Sequence, residues 1–429
     1  MLFRANSPED VTYNDDHVLQ NSEHHFQEAR SKLSAEKGRP RLESLQARLA
    51  VCLYLLHTGR PNQAWYGFGT LVQMMFVLGL HQPRTTDVCG DLILRECQKR
   101  TFWAIATLDI YLSVMLGRPP LIHEEDINQQ YPQQLDDDEL SSGGTAGHEN
   151  KDRLVSASVL HAQIARVVRK AVRAQSAGTD KVDSASAFNQ ELSSWQASLP
   201  VILSGAVHPS SLVAGFRRQI TVLRLAHSHA AMLINRPLLL LDTAPSSVVE
   251  LHINTCLTAA NVILDMLTGS GSDGAPLGAF WFTQYVAFNA VSIVYVWLIQ
   301  RKRGRLSSVN AFFQDLLLMH KADAVQKQFA AATKTNAPPS LRYNIVLEEL
   351  QQEIHALDGV PWPQHTSAIV PELQLSNMAR QDPTTCEPGV LFEPTPLDME
   401  FNAMDPDLWL QLDSFPFSNF GLEQWASPS

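Results

Sequence analysis

Cysteine is scarce and poorly placed for chemistry: the five residues, at 52, 89, 97, 256 and 386, are odd in number and include no C-x-x-C pair. Such spacing argues against a disulfide framework or a zinc site within the chain and suits reduced intracellular thiols. The start, MLFRANSPEDVTYNDD, has no apolar core of signal-peptide length, so secretion is not expected. A basic surplus is missing too. The formal net charge is -11 and the pI about 5.7, which argues against holding nucleic acid by global charge. There is no nucleophile elbow, no Walker loop, no G-x-G-x-x-G after a strand, no run of alternating strand pattern and no repeat at a fixed period. Serines and histidines are plentiful, but without strands to present them a catalytic triad has no scaffold. An enzyme is not expected, and no cofactor is expected in this chain.

What is present is helical periodicity. The fold class predicted is all-α, an irregular multi-helix bundle with a disordered acidic C-terminal tail. Residues 1–21 read as a disordered polar N-terminus, with Ser22 capping a first helix through Phe26, Ala29 and Leu33. Leu42, Leu45, Leu49, Cys52, Leu53 and Leu56 then repeat at helical spacing, as do Trp65, Phe68, Val72, Met75 and Leu78, which predicts a two-helix hairpin joined by about five residues. Further helices are predicted at about 153–174, 185–199, 212–236, 247–267, 279–300, 307–333 and 341–357. The acidic then Ser/Gly-rich stretch 135–152 reads as a solvated loop.

The chain is organised around residues 97–127, CQKRTFWAIATLDIYLSVMLGRPPLIHEEDI. Cys97, Phe102, Ile105, Leu108, Leu112 and Met115 share one helical face, Trp103 and Tyr111 widen it, and Gly117 with Pro119 and Pro120 ends the helix. The apolar stripe by itself predicts core packing. Arg118 is predicted to bond helix-end carbonyls or to pair with Asp109 or Asp126. The run from His123 to Asp126 is a poor metal site, because consecutive residues rarely converge on one ion. His24-His25 and His227-x-His229 are no better as ligand pairs.

With its polar residues included, this stretch resembles the signature of the fungal-specific transcription factor domain, the middle homology region of Zn2Cys6 zinc-cluster transcription factors. The resemblance rests on Arg100, Phe102, Trp103, Asp109, Tyr111, Ser113, Gly117, Arg118, Pro119, Pro120, Ile122, Asp126 and Ile127 in order. It extends upstream to AWYGFGTLVQMMFVLGLH at 64–81, and downstream to the run containing Leu192, Trp195, Leu199 and Pro200 and to INRPLLL at 234–240. It departs at Ile110, where the family often carries an arginine. The resemblance implies a nuclear transcription regulator of a fungal pathway or biosynthetic gene cluster, with a helical regulatory domain over 22–357. It also admits an effector pocket along the 97–116 helix. The zinc cluster such regulators use to contact DNA would lie upstream, so zinc and DNA are expected only through such a domain or through a partner. Homo- or heterodimerisation follows from the same reading, as does an alternative role: a DNA-binding-deficient partner of a full-length zinc-cluster factor. Without further N-terminal helices, an apolar face on 43–57 or 64–79 is expected to stay uncovered.

From Gly359 the composition changes. This segment holds ten acidic residues and one basic residue, Arg380, so -9 of the formal -11 resides there, together with ten of the 24 prolines. Acids alternate with Leu408, Trp409, Leu412, Phe415 and Phe417, the composition of a disordered activation segment at 358–429 that recruits transcription machinery or a coactivator. Arg301, Lys302, Arg303 and Arg305 form a candidate nuclear import patch, with a solvated cationic helix end as the plainer reading. Residues 280–299 are long and apolar enough to span a bilayer, but Thr283, Gln284, Asn289 and Ser292 within the run favour a central buried helix over a membrane-attached protein.

Overall fold

The computed structural model describes residues 15–135, 140, 154–207, 211–240, 246–269, 280–303, 315–333 and 338–357. Among these there are helices, turns and extended connections and no strand, which is the all-α architecture expected.

The helices are α1 (Asp15–Ala35), α2 (Leu42–His57), α3 (Pro61–Val77), the short α4 (Pro83–Asp87), α5 (Leu92–Leu116), α6 (Leu154–Ser176), α7 (Lys181–Ala197), α8 (Ala214–Asn235), α9 (Ser247–Thr268), α10 (Trp281–Lys302), α11 (Asp315–Thr333) and α12 (Pro338–Ala356). Several boundaries differ from expectation, for a local reason at α3 and α5. α1 starts at Asp15, seven residues before Ser22. The α2–α3 connection is only Thr58–Arg60, because Pro61 is preset for the first position of α3. α5 begins at Leu92 rather than near Cys97, since the Asp91 carboxylate accepts from Ile93 N at 2.9 Å and caps it.

The core is built on α10. Every residue from Trp281 to Gln300 is buried, with α8, α9, α11 and α12 packed around it. Two described helices, α9 and α10, are long and apolar enough to cross a membrane, and the apolar window of α10 lies wholly inside the protein, so packing accounts for its lack of a polar face. On the other side α5 lies against α6, and α6 and α7 lead into the α8–α9 pair. Tyr295 donates to Asp323, and the His252 imidazole bonds Asn189, Asn235 and Ser186, tying α7, α8 and α9 together at one buried polar point.

The uncovered face expected on α2 is closed by α1: Phe26 stacks on Tyr54 at 4.7 Å and Arg60 lies over Phe26 while pairing with Glu23. On α3, Tyr66 and Val77 remain exposed. Gly79 ends α3 at φ +69, with Leu80 N donating to Met75 O and Gly79 N to Phe76 O. A Cβ there would stand 2.6 Å from Thr85 Oγ1. Gly79→Ala is therefore expected to destabilise the protein by about 1–3 kcal/mol, measured as a lower urea midpoint, because left-handed strain and a steric clash add.

Candidate functional site

The polar residues of the 97–127 stretch act on backbone. Asp109 is 1% exposed; its carboxylate accepts from Leu121 N at 2.9 Å and Ile122 N at 3.1 Å, fixing the chain as it leaves the Gly117 cap. Arg169 of α6 lies 3.6 Å from the same carboxylate and donates to Ile122 O. Isoleucine at 110 thus leaves Asp109 with a cation after all, supplied from another helix. Burial pushes the Asp109 carboxyl upward, against the pull of the two N–H groups and Arg169.

The acidic run after the prolines continues this clasp. Glu124 pairs with Arg166 and approaches Arg169 at 3.9 Å, and Glu125 lies 3.7 Å from Arg173. Arg166, Arg169 and Arg173 fall three and four residues apart, so one stripe of α6 receives Glu124 and Glu125. Asp126 is exposed in the short 3-10 turn Glu124–Asp126. Upstream on α5, the residues one turn apart hold the returning strand of backbone. Glu96 accepts from Gln133 N at 2.8 Å, Arg100 donates to Leu135 O at 2.6 Å, and Trp103 donates to Gln130 O at 2.8 Å while stacking on Tyr131. Phe102 is fully buried.

Arg118 does not do what its sequence position suggests. It lies over the Trp65 ring at 4.5 Å and donates to Asn62 Oδ1 at 2.7 Å, which joins the α5 exit to α3 instead of to Asp109 or Asp126. Gly117 adopts φ +56, and Pro119 is exposed beyond it.

Tyr111 belongs to a group that sequence reading did not assemble. Its hydroxyl lies 3.0 Å from His161 Nε2, its ring meets Phe282 edge to face, and His229 Nε2 lies 3.3 Å from the Tyr285 hydroxyl. These residues come from α5, α6, α8 and α10, 50 or more positions apart for each bonded pair. No local spacing could reveal them. Burial pushes the His161 and His229 imidazoles down to about 4 and about 3, so both are neutral at ordinary pH. His227, two residues from His229, instead stacks on Trp195. Above this group is a cavity of about 500 Å³, walled by α5, α6, α8 and the start of α10. α5 thus packs the core with one face and lines a cavity with Arg100, Ala104, Thr107 and Tyr111.

The basic end of α10 is engaged as well. Arg303 bonds Glu353 at 2.6 Å, Lys302 donates to Ile354 O, and Arg301 lies over Trp297, so three of the four candidate import residues brace α12 or the core. Arg305 lies outside the described residues, as do Leu408, Trp409, Leu412, Phe415 and Phe417 and the whole of 358–429. Among the described residues no group of three or more His, Cys, Asp or Glu side chains is placed to hold a metal ion, and Cys52 and Cys256 are buried thiols pushed up to about 12.

Among the described residues the scaffold is helical, with a cavity against α5. Residues 1–199 match the model of the fungal specific transcription factor domain. Similar proteins include a putative transcriptional regulatory protein of Saccharomyces cerevisiae, 21% identical over 78% of this chain and 48% of the relative. A transcriptional activator protein of Neurospora crassa is 27% identical over 48% of this chain and 23% of its own length. The Activator of stress genes protein 1 of Candida albicans is 22% identical over 72% of this chain and 36% of the relative. The chain thus spans less than half the length of each of these relatives. No solved structure matches.

Proposed function

We propose that this chain is the regulatory and activation portion of a fungal transcription regulator that acts in the nucleus by binding, without chemistry of its own. The observation that carries this reading is the family match over residues 1–199, joined to relatives named as transcriptional regulators and activators. The geometry supports it, since Asp109, Glu124, Glu96, Arg100 and Trp103 hold a helix end and the chain return in place. DNA contact is supplied by a zinc-cluster domain in the full-length protein or by a partner. The segment 358–429, with its -9 charge and interleaved aromatics, recruits the transcription machinery, and the helical domain governs when it does so.

Fused to a foreign DNA-binding domain, residues 358–429 are expected to drive a reporter strongly. Replacing Leu408, Trp409, Leu412 and Phe415 together by Ala should lower that output at least about tenfold, because anchors in acidic activation segments supply most of the binding energy. Unchanged output from the quadruple variant, at equal protein level, would remove the activation role.

A further inference from the structure

The connection between α1 and α2, residues 36–41, reads EKGRPR. Lys37, Arg39 and Arg41 alternate there with Gly38 and Pro40, neither of which projects a long side chain. All three cations are exposed, and among the described residues Lys37 and Arg39 have no hydrogen-bond or ion-pair partner. Arg41 lies 3.5 Å from Glu36 with its side chain 73% exposed, a pair too open to hold it. Glu36 itself is drawn back toward α2 by Ser44 and by Arg48 at 3.8 Å, so the tip of the loop is left cationic. The backbone shapes that tip. Gly38 turns at φ +102 with nothing within 4 Å of where a Cβ would stand, so the turn projects into open space. Pro40 presets its own φ and pushes Arg39 into extended backbone, which Arg41 continues at φ -122 and ψ 162.

We propose that this loop inserts into the minor groove of A·T-rich double-stranded DNA, with Arg39 as the inserted group. That groove is about 6 Å wide, too narrow for a helix about 10 Å or more across, but open to a single thin stretch of chain. Runs of A·T narrow it further and deepen its negative potential. A guanidinium sheds its water more readily than an ammonium, so arginine is the cation favoured there, while Lys37 and Arg41 on either side meet the flanking phosphates. The acidity of the whole chain is no obstacle, because most of the formal -11 lies beyond Gly359 and the contact is local. Glu43, exposed in the first turn of α2, is the nearest opposing charge along the chain. Lipid headgroups and RNA also carry phosphate, but neither presents this groove, since the minor groove of an RNA helix is wide and shallow. The inference goes beyond the regulator reading: there, DNA is left to a zinc-cluster domain or a partner, whereas this contact is made by the chain itself.

The test is fluorescence anisotropy of the full chain at low salt with short labelled duplexes whose centre is either an A·T run or a G·C run. The A·T duplex should bind at least about fivefold tighter, and netropsin, which fills the A·T minor groove, should displace the protein. Arg39→Ala should weaken the A·T complex at least about fivefold and erase the preference. Arg39→Lys keeps the charge, so it should bind the G·C duplex as the parent does and still lose the preference. Lys37→Ala should weaken both duplexes alike and lower the salt slope by about one. Arg224→Ala, exposed on α8, should change neither. Lys37 and Arg39 sit in an exposed loop, so circular dichroism and the urea midpoint should stay where they were. Absence of binding, equal binding of the two duplexes or of an RNA duplex, a preference that survives Arg39→Ala, or failure of netropsin to compete overturns the proposal. So does capture by phosphatidylserine vesicles that Arg39→Ala abolishes while A·T binding persists, because the loop would then be a lipid contact. Reporter output from the isolated tail reads the regulator hypothesis separately, so either can fail alone.

Discussion

Asp109→Ala is expected to cost about 3–5 kcal/mol of folding free energy, the range for removing one partner of a buried ion pair. Three groups lose their partner at once. Arg169, 7% exposed at its side chain, keeps only Ile122 O and the more distant Glu124, and the Leu121 and Ile122 N–H groups are left without acceptors beside the Gly117 cap. Water cannot easily replace the carboxylate, because Asp109 is 1% exposed. Asp109→Asn should fall between, since its amide oxygen still accepts one N–H while its NH2 faces the other donor and the charge is gone. The double variant Asp109→Leu, Arg169→Met should be less destabilised than the sum of its singles, because it removes the stranded guanidinium as well. Urea midpoints of the parent, the two Asp109 single variants, the double variant and its two component singles decide the matter. If Asp109→Ala lies within about 1 kcal/mol of the parent, the clasp is not what holds the 117–135 return in place. By contrast, losing the solvent pair Lys32–Glu28 should leave the midpoint where it was.

The second large effect is acid sensitivity well above the carboxylate range. His229 is 1% exposed, and burial drives its imidazole from 6.5 to about 3, with Arg236 and His161 pushing the same way. Its folded value is depressed, so the unfolded chain takes up a proton that the folded chain refuses as the pH falls below about 6.5. The neutral form's stabilising advantage is full above 6.5 and shrinks by up to about 1.4 kcal/mol per pH unit down toward 3. His161, His252 and His227 are lowered by burial too and add in the same direction, His161 less than its shift suggests because it faces the cavity. Asp109, with its carboxyl raised, opposes them, since its folded form accepts a proton first. The histidines should dominate between about pH 6.5 and 5, above the range in which most carboxylates titrate. Urea midpoints measured from pH 7.5 to 5 should fall steadily, and His229→Leu should flatten the slope by about one proton. A midpoint that does not move over that interval would show that the imidazoles are charged in the folded protein.

Much of the architecture was legible because helices announce themselves locally. The 3.6-residue stripes of α2, α3 and α9 run almost to the ends of those helices, and the lack of a polar face marks α10 as central. Ends were misjudged where a single side chain governs them, as with the Asp91 cap of α5. The polar partners were harder. Arg100, Trp103 and Asp109 were picked out through a family resemblance, yet their partners, backbone groups of 121–135 and Arg169 on α6, depend on where the chain returns. Arg118 was placed against the wrong residues because Asn62 and Trp65, more than fifty positions away, come beside it only when α3 packs against α5.

By itself, then, the sequence determined the helical class, the order of the helices, the buried centre and the separation of an acidic, proline-rich end, since each depends on periodicity or composition within short windows. Only the tertiary structure decided which cation meets Asp109, that Tyr111, His161, His229 and Tyr285 gather under a cavity, and that the basic end of α10 braces α12. Those outcomes depend on the crossing of distant helices, and residue spacing along a chain carries no record of which faces will meet in space.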